Sequence, residues 1–282
     1  MDLGLADKVV FITGASGGIG RALARVFAAE GAALALHGHA SFDALCAWLA
    51  EQPFAERALA LQADVTDPGE LERAFDATRA RFGRVDVCVA NAGIWPPDDV
   101  PLVALDDARA RRTIEVNLLG ALWTARAFLR ALQATGPRAD GHGAALLFTG
   151  STAARFGERG HADYATAKAG LYGLAQSLKN ELVALDPYGR VNIVEPGWTV
   201  TEMTRRAIDD PAVVAKVVRT MPLHQLARAE DIALAAAWLA SPRAARHISG
   251  TALTVAGGME GRVLAEAETI SGEAVLGRLR AD

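Results

Sequence analysis

Tyr164-Ala165-Thr166-Ala167-Lys168 sets a phenol and an ammonium four residues apart, on one face of any helix that contains them. A free phenol, with a pKa of about 10, is a poor acid or base near neutrality, and an adjacent cation favours the phenolate. The spacing therefore predicts a Tyr164 whose pKa is lowered by Lys168 toward a range useful for proton transfer. Ala165, Thr166 and Ala167 are small, so a ligand lying across that helix meets nothing bulky. A second constellation, Thr13-Gly14-Ala15-Ser16-Gly17-Gly18-Ile19-Gly20, follows an apolar run and opens a helical pattern. Such a junction aims free backbone N–H groups and the positive end of a helix at one point, which suits a phosphate. Gly14 would permit the tight turn, Gly18 an approach of backbone to a pyrophosphate, and Gly20 close packing of helix on strand.

Positioning these groups falls to an alternation of strands and helices that runs the length of the chain. Strands are expected at 9–13, 33–37, 58–62, 87–90, 144–149, 190–194 and 252–255, and helices at 19–29, 42–51, 70–81, 108–133, 164–185 and 230–240. This order implies a parallel sheet with helices on both faces, and the strands read as nearly continuous apolar runs, as burial on two sides requires. Asn117 falls inside the expected helix 108–133, where asparagine is unfavourable, so a compensating role is expected. No linker or second core divides residues 1–259, which read as one domain. The stretch 198–229, with Pro211 and Pro222, is too long for a plain connection and reads as a lid or a surface insertion. The tail, 260–282, reads as one or two short amphipathic helices that dock on a neighbouring subunit or fray.

Composition narrows the class. A net charge of −4 gives no reason to expect nucleic acid or an anionic membrane as partner. Cys46 and Cys88 form neither a metal spacing nor a disulfide framework; no metal site and a reducing cytoplasm are expected. The first residues are acidic where a signal peptide is basic, and the apolar run 232–240 is too short to cross a bilayer. A soluble cytoplasmic protein is the expectation.

The glycine spacing is G-x-x-x-G-x-G, not the commoner G-x-G-x-x-G. With Thr13 ahead of it, the turn resembles that of the short-chain dehydrogenases/reductases. Asn91-Ala92-Gly93, Asp64-Val65, Tyr164-x-x-x-Lys168 and Pro196-Gly197 with Thr201 stand in that family's order, over residues 7–258. The resemblance implies a doubly wound α/β Rossmann fold with a seven-stranded parallel sheet. It also implies NAD(P)(H)-dependent hydride transfer between nicotinamide and a ketone or secondary alcohol, with Tyr164 as general acid/base. On the family's pattern Ser151 hydrogen-bonds the reacting oxygen, Lys168 anchors the nicotinamide ribose, and Asn117 holds a water that continues the proton path. Gly14, Ser16, Gly17, Gly18, Ile19 and Gly20 would hold the cofactor's phosphates, and Asp64 and Val65 its adenine. Asn91, Ala92 and Gly93 would support the sheet beside the cofactor, while Pro196, Gly197, Thr199 and Thr201 hold the carboxamide. Read from the residues alone, Ser151 is equally a cap or turn serine with Thr152 as its rival, and Asp64 a turn residue ahead of Pro68. An epimerase/dehydratase relative is usually longer and spaces its glycines differently. A catalytically silent NAD(P)-sensing protein normally lacks Tyr or Lys from the tetrad, and neither is missing here.

After the second strand, His37-Gly38-His39-Ala40-Ser41 carries no acid to pair with a ribose 2′-hydroxyl. Gly38 stands where NAD-preferring relatives place aspartate, and His39 where NADP users often have arginine, which favours NADP(H) over NAD(H). His39 is also readable as an exposed loop residue, and Gly17 replaces a basic residue common in NADP users. Trp95, Phe156, His161, Trp198 and Met203 are candidates for an apolar substrate pocket, though Trp95, beside Pro96-Pro97, reads better as core or subunit contact. The partner expected is a small-molecule carbonyl or alcohol: a ketone, sugar or 3-oxoacyl compound. Helices 108–133 and 164–185 resemble those that pair subunits in the family, so a homodimer or homotetramer is expected.

Overall fold

The computed structural model describes residues 2–263 and 270–281. The first half runs β1 (Val9–Ile12), α1 (Gly18–Ala29), β2 (Ala33–Gly38), α2 (Phe42–Ala50), β3 (Ala58–Gln62), α3 (Pro68–Phe82) and β4 (Val87–Ala90). Next come α4 (Asp107–Ile114), α5 (Gly120–Thr135), β5 (Ala145–Thr149), a short α6 (Ala153–Phe156), α7 (Ala162–Leu182) and β6 (Arg190–Pro196). The remainder is β7 (Thr199–Val200), α8 (Arg205–Ile208), α9 (Pro211–Val218), β8 (Ala227–Arg228), α10 (Ala229–Ala240), β9 (Ala252–Val255) and α11 (Gly272–Ala281). Among these residues no helix is long and apolar enough to cross a membrane.

Seven strands form one parallel sheet in the order β3-β2-β1-β4-β5-β6-β9. Successive side chains point to opposite faces, which explains the continuous apolar strands. Val10 and Ile12 of β1 enter one core, with Leu23, Phe27, Ile232 and Leu239 of α1 and α10. Phe11 between them enters the other, with Phe75, Phe128, Leu171 and Leu182 of α3, α5 and α7. Strand order reverses between β1 and β4, so their carboxyl ends diverge and leave a crevice.

Three expectations are corrected. The helix expected over 108–133 is two helices joined by a π turn at Glu115–Leu119, which holds Asn117. The wide turn is stabilised by its own side chain, which reaches both the preceding helical turn and a loop outside the helix: Asn117 Nδ2 donates to the Thr113 and Ile94 carbonyls, and Oδ1 accepts from Ile94 N. The core is also not confined to the sheet. Val214, Val218, Leu226, Ile270 and Val275 make a small separate cluster under the 198–229 segment. The tail contributes to that cluster, and its α11 packs on its own chain's α9. The neck of the segment is a two-residue parallel ladder, Thr199 opposite Ala227 and Val200 opposite Arg228.

Candidate active site

The carboxyl ends of β1, β4 and β5 are tied by one side chain. Asn91 Nδ2 donates to the carbonyls of Thr13 (3.0 Å) and Gly14 (3.3 Å), and Oδ1 accepts from Thr149 Oγ1 (3.2 Å). Thr13 Oγ1 returns the link by accepting from Asn91 N and Ala92 N. Gly14, at φ +64°, needs its missing side chain twice over, because a Cβ would lie 2.8 Å from Ala92 Cα. The other two glycines of the turn are also sterically confined. A Cβ on Gly20 would strike the turn itself, 2.2 Å from the Gly14 carbonyl oxygen, and one on Gly18 would meet Thr201, 2.9 Å away. Gly18 is thus where the 198–229 segment closes on the turn.

His37, at the end of β2, has no counterpart in the sequence reading. Its Nδ1 accepts from Gly14 N (3.3 Å) and its Nε2 bonds the Ala63 carbonyl (2.8 Å), so one ring joins the glycine turn to the loop after β3. Burial pushes its pKa down from 6.5 to about 4, so the ring stays neutral. The unfolded chain takes up this proton near pH 6.5 and the folded chain only near 4; stability therefore falls as pH drops through that window. A loss of up to about 3 kcal/mol is expected from this group. Urea unfolding of wild type and His37→Asn at pH 7 and pH 4.5 checks it, since the variant must show the weaker pH dependence.

Tyr164 opens onto the crevice from the first turn of α7, and the Ser151 hydroxyl hydrogen-bonds its phenol. Burial raises the Tyr164 pKa, and the bond with Ser151 offsets only part of that rise. The expected lowering by Lys168 is therefore corrected. The ammonium is 5.7 Å from the centre of the Tyr164 ring and donates instead to the Thr149 carbonyl at 2.8 Å. Lys168 is itself buried, and burial pushes its pKa down to about 8. Both side-chain functions of Asn117 are engaged with Ile94 and Thr113. A water between Asn117 and Lys168 thus has the second lone pair of Oδ1 or the main-chain carbonyl as its acceptor.

The start of α7 is held by an ion pair that the sequence reading also missed. Arg109 Nε lies 3.2 Å from Asp163 Oδ2, and its two terminal nitrogens donate to the carbonyls of Asp98 and Gly160. Burial acts to raise the Asp163 carboxyl, but hydrogen bonds from Arg109, Tyr164 N and Thr113 hold it below the usual range. Trp95 is corrected as well: it is a wall of the cavity, stacked on the buried His161 ring at 3.8 Å and meeting Tyr164 edge-on at 4.8 Å. His161 is fixed behind it by a 2.9 Å bond to the Pro96 carbonyl. Neither His161 nor Phe156 lines the cavity, whereas Trp198 and Met203 do.

One cavity of about 460 Å³ gathers most of the expected residues. Gly14, Ser16, Gly17, Gly18, Ile19 and Gly20 line one end, and Asn117, Ser151, Tyr164 and Lys168 the other. Between them lie Asn91, Ala92, Gly93, Pro196, Gly197, Thr199 and Thr201. Three residues are not in it. Val65 is core, packed among Leu71, Phe75 and Val116. Asp64 makes a turn, its Oδ1 accepting from Thr66 N and Oγ1, while Oδ2 lies 3.7 Å from His39 and 3.6 Å from Arg112. His39 is half-exposed and lines a second, shallower cavity with Gln62 and Arg73.

A dinucleotide fits the lining. The amino end of α1 has no side-chain cap and no acid in its first turn, so its N–H groups and positive end are left for an anion. Lys168 makes one hydrogen bond among the described residues although an ammonium has three donors, and the remaining two suit a ribose diol.

Similarity to known proteins agrees with this geometry. The family model described as enoyl-(acyl carrier protein) reductase matches residues 14–260. The 3-oxoacyl-[acyl-carrier-protein] reductase FabG of Escherichia coli K12 is 37% identical over 252 residues, covering 89% of this chain and 97% of that one. L-rhamnose 1-dehydrogenase (NAD(P)(+)) of Azotobacter vinelandii is 36% identical, covering 90% and 97%. A short-chain dehydrogenase/reductase of Brucella melitensis titled glucose/ribitol dehydrogenase superposes with a TM-score of 0.81 at 31% identity, covering 92% of this chain and 98% of its own. The chain belongs to the short-chain dehydrogenase/reductase family, as a nicotinamide-dependent oxidoreductase of carbonyl and alcohol groups.

Proposed function

We propose that this enzyme reduces a neutral ketone to a secondary alcohol, and reoxidises it, with Tyr164 as the proton-transfer group and NADP(H) as the preferred cofactor. The observation that carries the reading is the Tyr164 phenol, bonded to Ser151, in the same cavity as the buried Lys168 and the uncapped end of α1. When bound, the nicotinamide supplies or accepts hydride at the carbonyl carbon. Tyr164 gives its proton to the carbonyl oxygen as charge develops there, and Ser151 donates a second hydrogen bond to that oxygen. A phenol whose pKa is raised by burial is a neutral donor at pH 7, which favours the reductive direction. Lys168 anchors the ribose, and Asn117 holds the backbone of Ile94 at the cavity wall. Pro196, Gly197, Thr199 and Thr201 would hold the carboxamide, and Asn91, Ala92 and Gly93 would support the sheet beside the cofactor, a reading supported by their shared place in the cavity lining.

The substrate end is walled by Ile94, Trp95, Trp198 and Met203. Glu158 and Glu202 are the acids of the described lining and Lys168 its cation, which favours an uncharged ketone, sugar or 3-oxo compound over an anionic one. Residues 198–229 act as the lid, and the domain proper as 1–259. NADP(H) is supported by the absence of an acid after β2, where Gly38 packs against Leu45 and His39 stands half-exposed. A carbonyl panel read by cofactor absorbance is expected to give kcat/KM at least about tenfold higher with NADPH than with NADH. An NADH preference overturns the cofactor choice; cofactor binding with no turnover of any carbonyl overturns the enzyme. The reading extends to a cytoplasmic homodimer or homotetramer, supported by two unpaired cysteines and by the apolar Val183 and Leu234 left exposed on the helical surface.

A further inference from the structure

The family match ends at residue 260, yet the chain continues and the continuation is built into the cavity's cover. The tail leaves past α6: Gly261, at φ +73°, sits so close that a Cβ would lie 2.6 Å from Phe156 Cδ1. Gly272 lies against the start of α9, where a Cβ on it would be 2.1 Å from the Pro211 carbonyl oxygen. Ile270 and Val275 are there 8% and 7% exposed, packed with Val214, Val218 and Leu226. Trp198, Val200 and Leu276 close the margin of the cluster, and Trp198 is also a wall of the cavity. Apolar contact therefore runs without a break from the tail, through α9, to the place where a carbonyl substrate would lie.

An eight-residue helix such as α9 has too few turns to be stable alone and depends on the surface that covers it. Its buried face is Val214 and Val218, and tail residues share the cluster that covers it. The β7–β8 ladder pins the segment at its neck, and Leu223 N bonds the Gly257 carbonyl at 3.0 Å. Neither link touches α9 itself.

We infer that the C-terminal tail is a strap on the lid: residues 270–276 hold α9 in place and thereby set the affinity of the carbonyl site, without touching the reacting atoms. The inference rests on the reading of 198–229 as the lid of that site. Ile270, Gly272 and Val275 are positioning residues in this scheme. A strap of this kind acts on the carbonyl side and leaves the glycine turn untouched.

The test compares hydrogen exchange in the full chain and in a chain ending at Gly261, with Val275→Asp as the second variant where the shortened chain does not fold. Amides of 212–218 are expected to exchange at least about tenfold faster in the variants, with β1 and β5 unchanged. With ethyl acetoacetate as probe, the KM for the carbonyl should rise more than about fivefold, while the KM for NADPH stays within about twofold. Unchanged exchange in 212–218 overturns the inference, and so does faster exchange with both KM values unchanged. If the full chain turns over no carbonyl, the oxidoreductase reading has failed, and the exchange comparison then decides the strap by itself.

Discussion

Phenylalanine in place of Tyr164 is expected to lower turnover at least about a hundredfold while NADPH still binds. The substitution removes one oxygen and keeps the ring, so the edge-on contact with Trp95 persists and the wall of the cavity keeps its shape. What disappears is the proton donor and its bond to Ser151. Ser151 retains its own bond from Ala153 N, so it is not left without a partner, and the stability cost is expected to stay within about 1 kcal/mol. Steady-state turnover together with a fluorescence titration of NADPH separates the two effects. Turnover within a few fold of wild type would remove Tyr164 from the reaction, and with it the proposed chemistry.

Methionine in place of Lys168 should do two opposite things. Activity is expected to fall by about two to four orders of magnitude, because the ribose anchor and the cation beside the phenol are both lost. Stability of the cofactor-free protein at pH 7 should rise. The ammonium is buried with a single carbonyl partner, and its pKa is pushed from 10.5 to about 8, so folding at pH 7 carries a penalty of up to about 3 kcal/mol. Methionine has a similar length and no charge; after the lost bond to Thr149 is allowed for, a net gain of about 1–2 kcal/mol is expected. The sign with pH follows from the same shift. Between pH 8 and 10.5 the unfolded chain holds this proton and the folded chain has released it, so wild-type stability rises with pH there. The advantage of the methionine variant must shrink across that window. Melting temperatures at pH 7, 8.5 and 10 measure it, and a variant less stable than wild type at pH 7 rejects the account. The same group predicts that kcat/KM for reduction falls above about pH 8, where the free enzyme loses the ammonium.

Lys168 thus shows a conflict between stability and function at one residue. It is kept charged in an apolar setting, close to the phenol but bonded to the sheet. The protein tolerates that cost where a bound ribose would supply the missing acceptors.

Much of this was legible from residue order alone. Tyr164 and Lys168 share a helix face because a helical repeat puts them there, and the glycine turn joins β1 to α1 because Gly14 must adopt positive φ and Gly20 must lie against it. Strands β3, β4 and β9 have the boundaries that their apolar runs imply, and alternation of strand with helix was enough to imply a parallel sheet. These are short-range properties, settled by spacing within one or two turns of chain. What only the tertiary structure decided depends on partners brought from far away. The direction of the Tyr164 shift follows from burial, and the partner of the Lys168 ammonium is Thr149, nineteen residues before it. The π turn at Asn117 exists because Ile94 offers both a donor and an acceptor to its side chain. His37 reads as one polar residue in an apolar strand until Gly14 and Ala63 close around it, and the tail reads as a loose amphipathic end until α9 meets it. Spacing says which groups can face one another; burial and the choice of partner need the folded chain, because desolvation and hydrogen-bond competition are properties of a surrounding volume and not of a neighbouring residue.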